Sequence, residues 1–471
     1  MQFAIMGRLQ HIMGSCLRNK ATFKRSDLLE RSVASQYNAV GYIELVRRNP
    51  NFRTLWLGQI VSLFGDWFNL IASAALISVL TRSGLAVGGL FVVRMLAPFL
   101  VSPLAGVAAD RYNRKFLLIL ADLSRGVVVL GFLLVRDPQY AWLLYTLTAI
   151  QLAFSGFFFP ARNAILPDIV SRRELGAANA LSSATWSVML AVGAALGGIV
   201  AGEWGIYPAF IIDSATFFIS AFFISRIRYR HDAALAEASK SIRAALNQYF
   251  EGLRYLKRHF DILSISLQKA AFALAVNGAF QVIQVVLAEK IFVIGEGGGT
   301  SLGLLYAVGG VGTGIGPIIA RRFTGDRDQP LRAALFFSYL IAVLGLVISA
   351  PLWNFSSVLF GTFLRAFGGG ISWVFSTQLL LQLLPDRVRG RVFSTEFAML
   401  TLANALSAAA GGWALDNTGL SISSLLWYMA GILLIPGVLW LLWLSFGSRK
   451  SPESEMSLSK GTEPGVSSSN Q

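Results

Sequence analysis

The segment SISSLLWYMAGILLIPGVLWLLWLSF, residues 421–446, indicates the fold class of this protein because it contains no charged side chain. A helix rises about 1.5 Å per residue, so a helix of this length crosses a bilayer core of about 30 Å. The rest of the chain has the same character, since 55% of its 471 residues are hydrophobic and 14% are charged. Soluble domains carry roughly 25% charged residues. The sequence therefore predicts an integral membrane protein.

Eleven other segments are also apolar and long enough to span a bilayer. They are continuously apolar and rich in Leu, Ala and Gly, whereas the strands of a membrane β-barrel alternate in polarity over roughly ten residues. The predicted fold is an all-α polytopic membrane protein with twelve transmembrane helices. The predicted spans are 54–80, 85–109, 116–135, 140–160, 177–201, 206–225, 262–288, 302–320, 331–350, 355–380, 392–415 and 421–446.

Basic residues are distributed unevenly between the two faces of the predicted bundle. Of 40 Lys and Arg residues, 33 lie on one side, in the tails, in loops or, for Arg332, at the start of a span, whereas Arg82, Arg136 and Lys290 lie on the other. Cytoplasmic loops carry such an excess, so both termini are predicted to be cytoplasmic. The formal net charge of +15 is spread over short segments and does not predict binding to nucleic acid.

The predicted spans divide the chain into five parts. The N-terminal tail has no clear secretory signal and is expected to be disordered or peripheral, although residues 1–20 lack acidic side chains, as organelle-targeting peptides do. The linker between the halves has apolar residues at helical spacing, which predicts an amphipathic helix on the membrane surface. Those residues are Ile242, Leu246, Tyr249, Phe250, Leu253 and Leu256. The parts are a cytoplasmic N-terminal tail (1–53), a six-helix bundle (54–225), a cytoplasmic linker (226–261), a second six-helix bundle (262–446) and a cytoplasmic C-terminal tail (447–471).

Residue types that support metal or redox chemistry are scarce. The chain has one cysteine, Cys16, and three histidines, so neither a metal site nor a cofactor is predicted. The glycine-rich segment GGVGTGIG, residues 309–316, lacks the Lys-Ser/Thr pair of a nucleotide-binding loop. It instead predicts close helix packing or a hinge. An enzyme is the least expected class because no nucleophile, base and oxyanion site are grouped.

The two halves of the chain repeat each other. ILPDIV, residues 165–170, precedes a span that contains GAALGG (193–198), and LLPDRV, residues 383–388, precedes a span that contains SAAAGG (407–412). Because each copy has six spans, both copies insert in the same orientation as pseudo-symmetric bundles, with the substrate path expected between them.

The loop after the second span resembles a signature of the major facilitator superfamily. GVAADRYNRK, residues 106–115, matches G-x-x-x-D-R-x-G-R-K, with Asn113 in place of a Gly. FRTLWLGQIVSLFGDW (52–67), FPARNAILPDIV (159–170) and PDRVRGRVFS (385–394) resemble the efflux branch that includes macrolide exporters and the enterobactin siderophore exporter. GAALGG approximates an antiporter motif, although Ala194 replaces its Pro. The resemblance covers residues 52–446 and implies a bacterial plasma (inner) membrane protein.

The resemblance assigns a gating role to this loop. Gly106 would permit close helix approach, and Asp110 would accept hydrogen bonds from the start of the eleventh span or pair with an Arg, which would close the cytoplasmic side. The alternative is that Arg111, Arg114 and Lys115 only anchor the topology and that Asp110 is a solvated loop acid. The second copy has an alanine, so the predicted latch is one-sided.

Charged residues inside predicted spans are costly and mark functional positions. Asp66 and Arg94 lie at similar depths and are predicted to face each other or a shared cavity. Asp66 then either exchanges a proton for substrate or forms a structural pair with Arg94. Asp122 and Arg125, three residues apart, share a helix face and are expected to satisfy each other.

Five further polar or aromatic residues belong to these predicted sites. Glu396 lies in the first turns of the eleventh span, where the helix dipole already favours a carboxylate. Asp213 and Arg365 complete the set of intramembrane charges. Trp67 and Gln281 are candidates for lining an amphiphilic cavity between the bundles.

These features predict secondary active efflux of an amphiphilic small molecule, such as a drug-like compound or a siderophore, by alternating access and proton antiport. The expected partners are the substrate, protons and the lipid bilayer, and the expected state is a monomer. Two alternatives are a flippase for lysophospholipids or lipid precursors and a non-transporting membrane sensor that uses the N-terminal tail.

Overall fold

A computed structural model describes residues 41–229, 251–325 and 327–446. In these ranges the fold is all-helical, and the number of helices that are long and apolar enough to cross a membrane is 12, which confirms the predicted number. These spans are Pro50–Thr81, Gly84–Ala105, Arg114–Leu134, Pro138–Ile169, Arg173–Trp204, Ile206–Ser225, Phe260–Ile291, Glu296–Thr324, Asp328–Ser349, Phe355–Leu383, Val388–Asn417 and Ile422–Ser445.

Several spans are longer than the sequence predicts. The fourth span continues to Ile169 through Pro160 and Pro167, and the tenth continues to Leu383 through three consecutive glycines. A helix satisfies its backbone hydrogen bonds internally, so it continues into the polar interface after its apolar residues end. The sequence prediction followed the apolar residues and therefore ended these helices early.

The two six-helix halves meet along two pairs of spans. The second span packs against the eleventh, and the fifth packs against the eighth. Glycines allow the closest approach, since a Cβ atom built on Gly198 would lie 2.5 Å from the Cα atom of Gly303. A Cβ atom on Gly88 would lie 2.7 Å from the carbonyl oxygen of Ala408. The hydrophobic effect does not drive helix association inside a bilayer. Close van der Waals packing at small residues stabilises such crossings instead.

The halves are also joined at one end of the bundle, which we name the distal face. It holds the loops 82–83, 135–137, 205, 292–295, 350–354 and 418–421. Asp416 at the end of the eleventh span accepts hydrogen bonds from the Ser83 hydroxyl (2.5 Å) and from the backbone N–H groups of Gly84 (2.8 Å) and Leu85 (2.9 Å). This carboxylate of one half thereby caps the second span of the other half.

The described parts of the predicted N-terminal tail and of the predicted linker pack against the helix bundles. The helix Tyr42–Arg48 precedes the first span, and its Leu45 is fully buried beside Phe52. Residues 251–258 are helical, and Leu256 is 1% exposed. This part of the linker packs against the eleventh span, because Glu251 pairs with Arg391 at 2.7 Å. The amphipathic helix on the membrane surface stays a prediction, because its residues 242–250 lie outside the described residues.

Candidate functional site

Arg125 of the third span is the centre of a buried charge cluster in the N-terminal half. It forms an ion pair with Asp122 one turn earlier, and its Nη1 atom lies 3.7 Å from Asp66 Oδ2 of the first span. The guanidinium group also lies over the rings of Phe158 (4.7 Å) and Phe217 (4.2 Å). Cation–π contacts and carboxylates together compensate the cost of burying this cation. The cluster therefore ties together the first, third, fourth and sixth spans.

A third carboxylate, Asp213 of the sixth span, completes the cluster. Its side chain is 0% exposed, and it lies beside Asn69 of the first span. Asp213 interacts electrostatically with Asp66 and Arg125. Asp122 is likewise 0% exposed, whereas the Asp66 side chain is 28% exposed. Asp66 is therefore the carboxylate of this cluster that solvent or a substrate can reach.

The structure changes the prediction for Arg94. Its Nη1 atom donates to Asn69 Oδ1 at 3.5 Å, and Asp66 is within electrostatic range, but the close ion-pair partner of Asp66 is Arg125. Asp66 and Arg94 were predicted to face each other or a shared cavity, and the two lie in one cluster, but the close ion pair of Asp66 is with Arg125. Whether Asp66 exchanges a proton stays a prediction. Counting residues along a span gives the depth of a side chain but not its direction around the helix.

The C-terminal half contributes a second cation at the interface between the halves. Arg365 of the tenth span is partly exposed, donates to Asn277 Oδ1 at 3.1 Å and lies 4.0 Å from the ring centre of Phe280. Tyr306 of the eighth span lies within electrostatic range of Arg365 and also of Arg94. The Tyr306 ring is 5.9 Å from that of Trp67 in the first span.

Arg94 and Arg365 lie at the same depth in the bundle. Arg94 is ten residues beyond Gly84, and Arg365 is ten residues beyond Phe355, and both helices begin at the distal face. Ten residues of helix rise about 15 Å, which is half of a bilayer core of about 30 Å. Asp66, Trp67, Arg94, Tyr306 and Arg365 thus form a polar and aromatic site near the midplane, which we name the midplane site. Gln281, predicted to line the cavity, is partly exposed on the seventh span.

A buried ion pair joins two spans of the C-terminal half. Lys269 Nζ is 3.0 Å from Glu396 Oε1, and it donates to the Thr377 hydroxyl at 2.6 Å. The same ammonium lies 4.8 Å from the ring centre of Trp373. The sequence explained Glu396 by the dipole of its own helix, and this explanation is incomplete because the carboxylate has a dedicated cation. The sequence did contain an indication of this pair, because a lysine inside an apolar span, such as Lys269, needs an anionic partner.

The predicted gating loop is described only in part. Arg114 Nη1 is 2.6 Å from Asp168 Oδ2 of the ILPDIV segment, and Lys115 Nζ donates to the Ile227 carbonyl at 2.8 Å. Both basic residues therefore fasten the loop to its own half. No contact is described for Gly106 or for the side chains of Asp110 and Arg111, so the latch to the eleventh span stays a prediction.

The chain is similar to known membrane transporters along most of its length. It is 29% identical over 407 residues to the uncharacterized MFS-type transporter YfiS of Bacillus subtilis (strain 168), covering 83% of this chain and 92% of that protein. It is 25% identical over 354 residues to BacE of the same strain, named as a candidate bacilysin exporter, covering 75% and 86%. It is 24% identical over 373 residues to the enterobactin exporter EntS of Shigella boydii, covering 78% and 86%.

Structural similarity and a family model agree with these relatives. The crystal structure of the nucleoside transporter NupG superposes with a TM-score of 0.66 at 11% identity, covering 84% of this chain and 99% of that one, which shows the shared fold. The family model described as Major Facilitator Superfamily matches residues 55–395 and 300–468. The protein is a membrane transporter and not an enzyme, and it belongs to the major facilitator superfamily.

Proposed function

We propose that this protein is a secondary active exporter of an amphiphilic small molecule and that proton uptake and release at Asp66 drives the export. The observation that carries the proposal is the accessibility of Asp66 within a buried charge cluster. Relatives named as exporters of bacilysin and enterobactin support the direction of transport. The proximal face, opposite the distal one, would then lie in the cytoplasm together with both termini, as the Lys and Arg distribution favours.

The charges of the cluster favour a role for protons. Three carboxylates (Asp66, Asp122 and Asp213) face two guanidinium groups (Arg94 and Arg125), so full ionisation leaves one excess negative charge. An uncompensated charge in apolar surroundings is costly. One bound proton removes it, and Asp66 is the carboxylate through which that proton enters and leaves. A substrate that competes with the proton at the midplane site is then exchanged for it.

Alternating access requires contacts that hold one face closed and then break. The Asp416 cap on the second span holds the halves together at the distal face. In addition, Ser78 of the first span hydrogen-bonds Glu289 of the seventh, and Lys290 Nζ donates to the Arg82 carbonyl at 3.4 Å. We propose that these contacts close the outer side while the substrate enters from the cytoplasm, and that they separate when it is released.

Efflux from intact cells tests the proposal. Cells that overproduce the protein are loaded with macrolides, cationic dyes or catecholate siderophores, and retention is compared with vector controls before and after an uncoupler collapses the proton gradient. We expect at least one class to be extruded by an uncoupler-sensitive route. Extrusion that persists without the gradient, or translocation of lysophospholipid in place of all three classes, would contradict it.

A further inference from the structure

We propose that Arg365 binds an anionic group of the transported amphiphile, so that the substrate carries a carboxylate, sulfonate, phosphate or ionised phenol beside its apolar part. This inference rests on the proposed export function and specifies its substrate. It follows from how Arg365 differs from the buried cations Arg125, Lys269 and Arg332.

The three most buried cations inside this bundle have carboxylate partners. Arg125 pairs with Asp122, and Lys269 pairs with Glu396. Arg332 of the ninth span is 2.8 Å from Asp261 and pairs with a second aspartate on its own helix. For Arg365, no carboxylate oxygen of the described residues lies within 4.0 Å of its nitrogen atoms. An intramembrane cation without an anion is costly, which points to an anion supplied from outside the chain.

The contacts of Arg365 orient its guanidinium group and use only part of its hydrogen-bonding capacity. A guanidinium group has five N–H donors, and the described residues accept one of them, at Asn277 Oδ1. The Phe280 ring supports one face of the group at 4.0 Å. A planar cation that is held in place but retains unused donors suits a bidentate oxyanion.

The surroundings of Arg365 favour an amphiphile over a simple inorganic anion. Tyr306 and Trp67 form an aromatic contact that joins the halves beside it, and Phe280 adds a third ring. Aromatic rings provide apolar area, and a few polar groups fix the orientation of a bound ligand. Arg94 at the same depth interacts electrostatically with Asp66, whereas no carboxylate of the described residues acts on Arg365 in the same way.

Arg162 of the fourth span, like Arg94, is partly exposed and has no carboxylate oxygen within 4.0 Å among the described residues. It donates to Gln59 Oε1 at 2.7 Å and to Asn163 Oδ1 at 3.0 Å. Two amide oxygens thus accept hydrogen bonds from Arg162, whereas one accepts from Arg365. It also lies beyond Pro160, toward the proximal end of its span, and away from the residues that join the halves. These differences favour Arg365 as the anion-binding residue.

Binding of two matched fluorescent probes tests this inference. 8-Anilinonaphthalene-1-sulfonate and N-phenyl-1-naphthylamine share their aromatic rings and differ in the sulfonate group. Both are titrated into the full-length protein in nanodiscs, with empty nanodiscs subtracted. We expect Arg365→Gln to weaken binding of the sulfonate at least about tenfold, as charged hydrogen bonds of about 1.5–3 kcal/mol imply, and to leave the neutral probe unchanged. Arg365→Lys should retain part of the preference, and Arg136→Gln at the distal surface serves as the control.

The outcomes separate this inference from the export proposal. If the wild type binds both probes equally or binds neither, or if Arg365→Gln weakens both alike, Arg365 has a structural role and the inference is overturned. Sulfonate binding that depends on Arg365 in a protein that extrudes nothing from cells would refute the export proposal alone. If Arg365→Gln still extrudes neutral or cationic compounds and binds the sulfonate as tightly as the wild type, the anion site alone is refuted.

Discussion

Lys269 of the seventh span and Glu396 of the eleventh form an ion pair of 3.0 Å, and their side chains are 6% and 4% exposed. The Thr377 hydroxyl and the Trp373 ring complete the surroundings of the ammonium group. Burying two charges costs several kcal/mol per ion, and close pairing with further hydrogen bonds is needed to compensate that cost. The pair and its surroundings therefore link three spans of the C-terminal half. Removal of either charged side chain would leave the other charge buried without a partner.

Removing one charge of this pair should destabilise the fold. Glu396→Gln leaves Lys269 buried without a counter-charge, which costs about 3–5 kcal/mol. We expect the midpoint of thermal unfolding, followed by tryptophan fluorescence in detergent, to fall clearly. The double variant Lys269→Met/Glu396→Leu should recover most of the loss because it removes both charges. A single variant as stable as the wild type would contradict the burial and pairing described here.

Two glycines on the eighth span provide a matched test of helix packing. A Cβ atom on Gly312 would lie 2.5 Å from the carbonyl oxygen of Phe363, whereas a Cβ atom on Gly314 has nothing within 4 Å. Gly312→Ala should lower stability by about 1–3 kcal/mol through overpacking. Gly314→Ala should be neutral or stabilising by up to about 1 kcal/mol because alanine favours the helix. Equal effects in thermal unfolding would argue against close packing at this crossing.

Loss of the Asp416 cap should shift the protein toward a state that is open at the distal face. Asp416→Ala removes a charged acceptor from the start of the second span, and a cap of about 1 kcal/mol corresponds to roughly a fivefold change in population. Tyr140 and Trp353 are exposed on the distal face, one in each half. Spin labels at these two positions report the distance between the halves by double electron–electron resonance.

Asn417→Ala is the control for this experiment, because Asn417 donates to the Trp413 carbonyl within its own helix. The Cys16→Ser background leaves the engineered cysteines as the labelling sites, since the sequence has one cysteine. We expect a larger long-distance population in Asp416→Ala only. The same distance distribution in wild type and Asp416→Ala would show that this contact does not hold the halves together.

The sequence predicted the architecture well because membrane spans are determined by the length of apolar segments. The eighth-span glycines were expected to serve close helix packing or a hinge, and Gly310, Gly312 and Gly316 do have backbone or side-chain atoms of neighbouring helices against them. The expected pairing of Asp122 with Arg125 depends on local helix geometry, and the structure shows that ion pair.

Pairings between distant spans could not be predicted in the same way. Arg125 reaches Asp66 from another span, and Lys269 reaches Glu396 across the C-terminal half. Such contacts depend on the rotation and tilt of each helix, which hydropathy does not determine. Glu396 also had a sufficient local explanation, which concealed its partner. Asp416 was missed because it lies where an apolar segment ends and looks like an ordinary loop acid.

Proton movement in everted membrane vesicles tests most directly the claim that Asp66 couples export to protons. Respiration acidifies the vesicle interior, and a quenched acridine dye reports the loss of that acidity when each macrolide, dye or siderophore is added. We expect at least one compound to dissipate the gradient with the wild type, and none to do so with Asp66→Asn at matched membrane levels. Equal dissipation by both proteins would contradict the coupling role of Asp66.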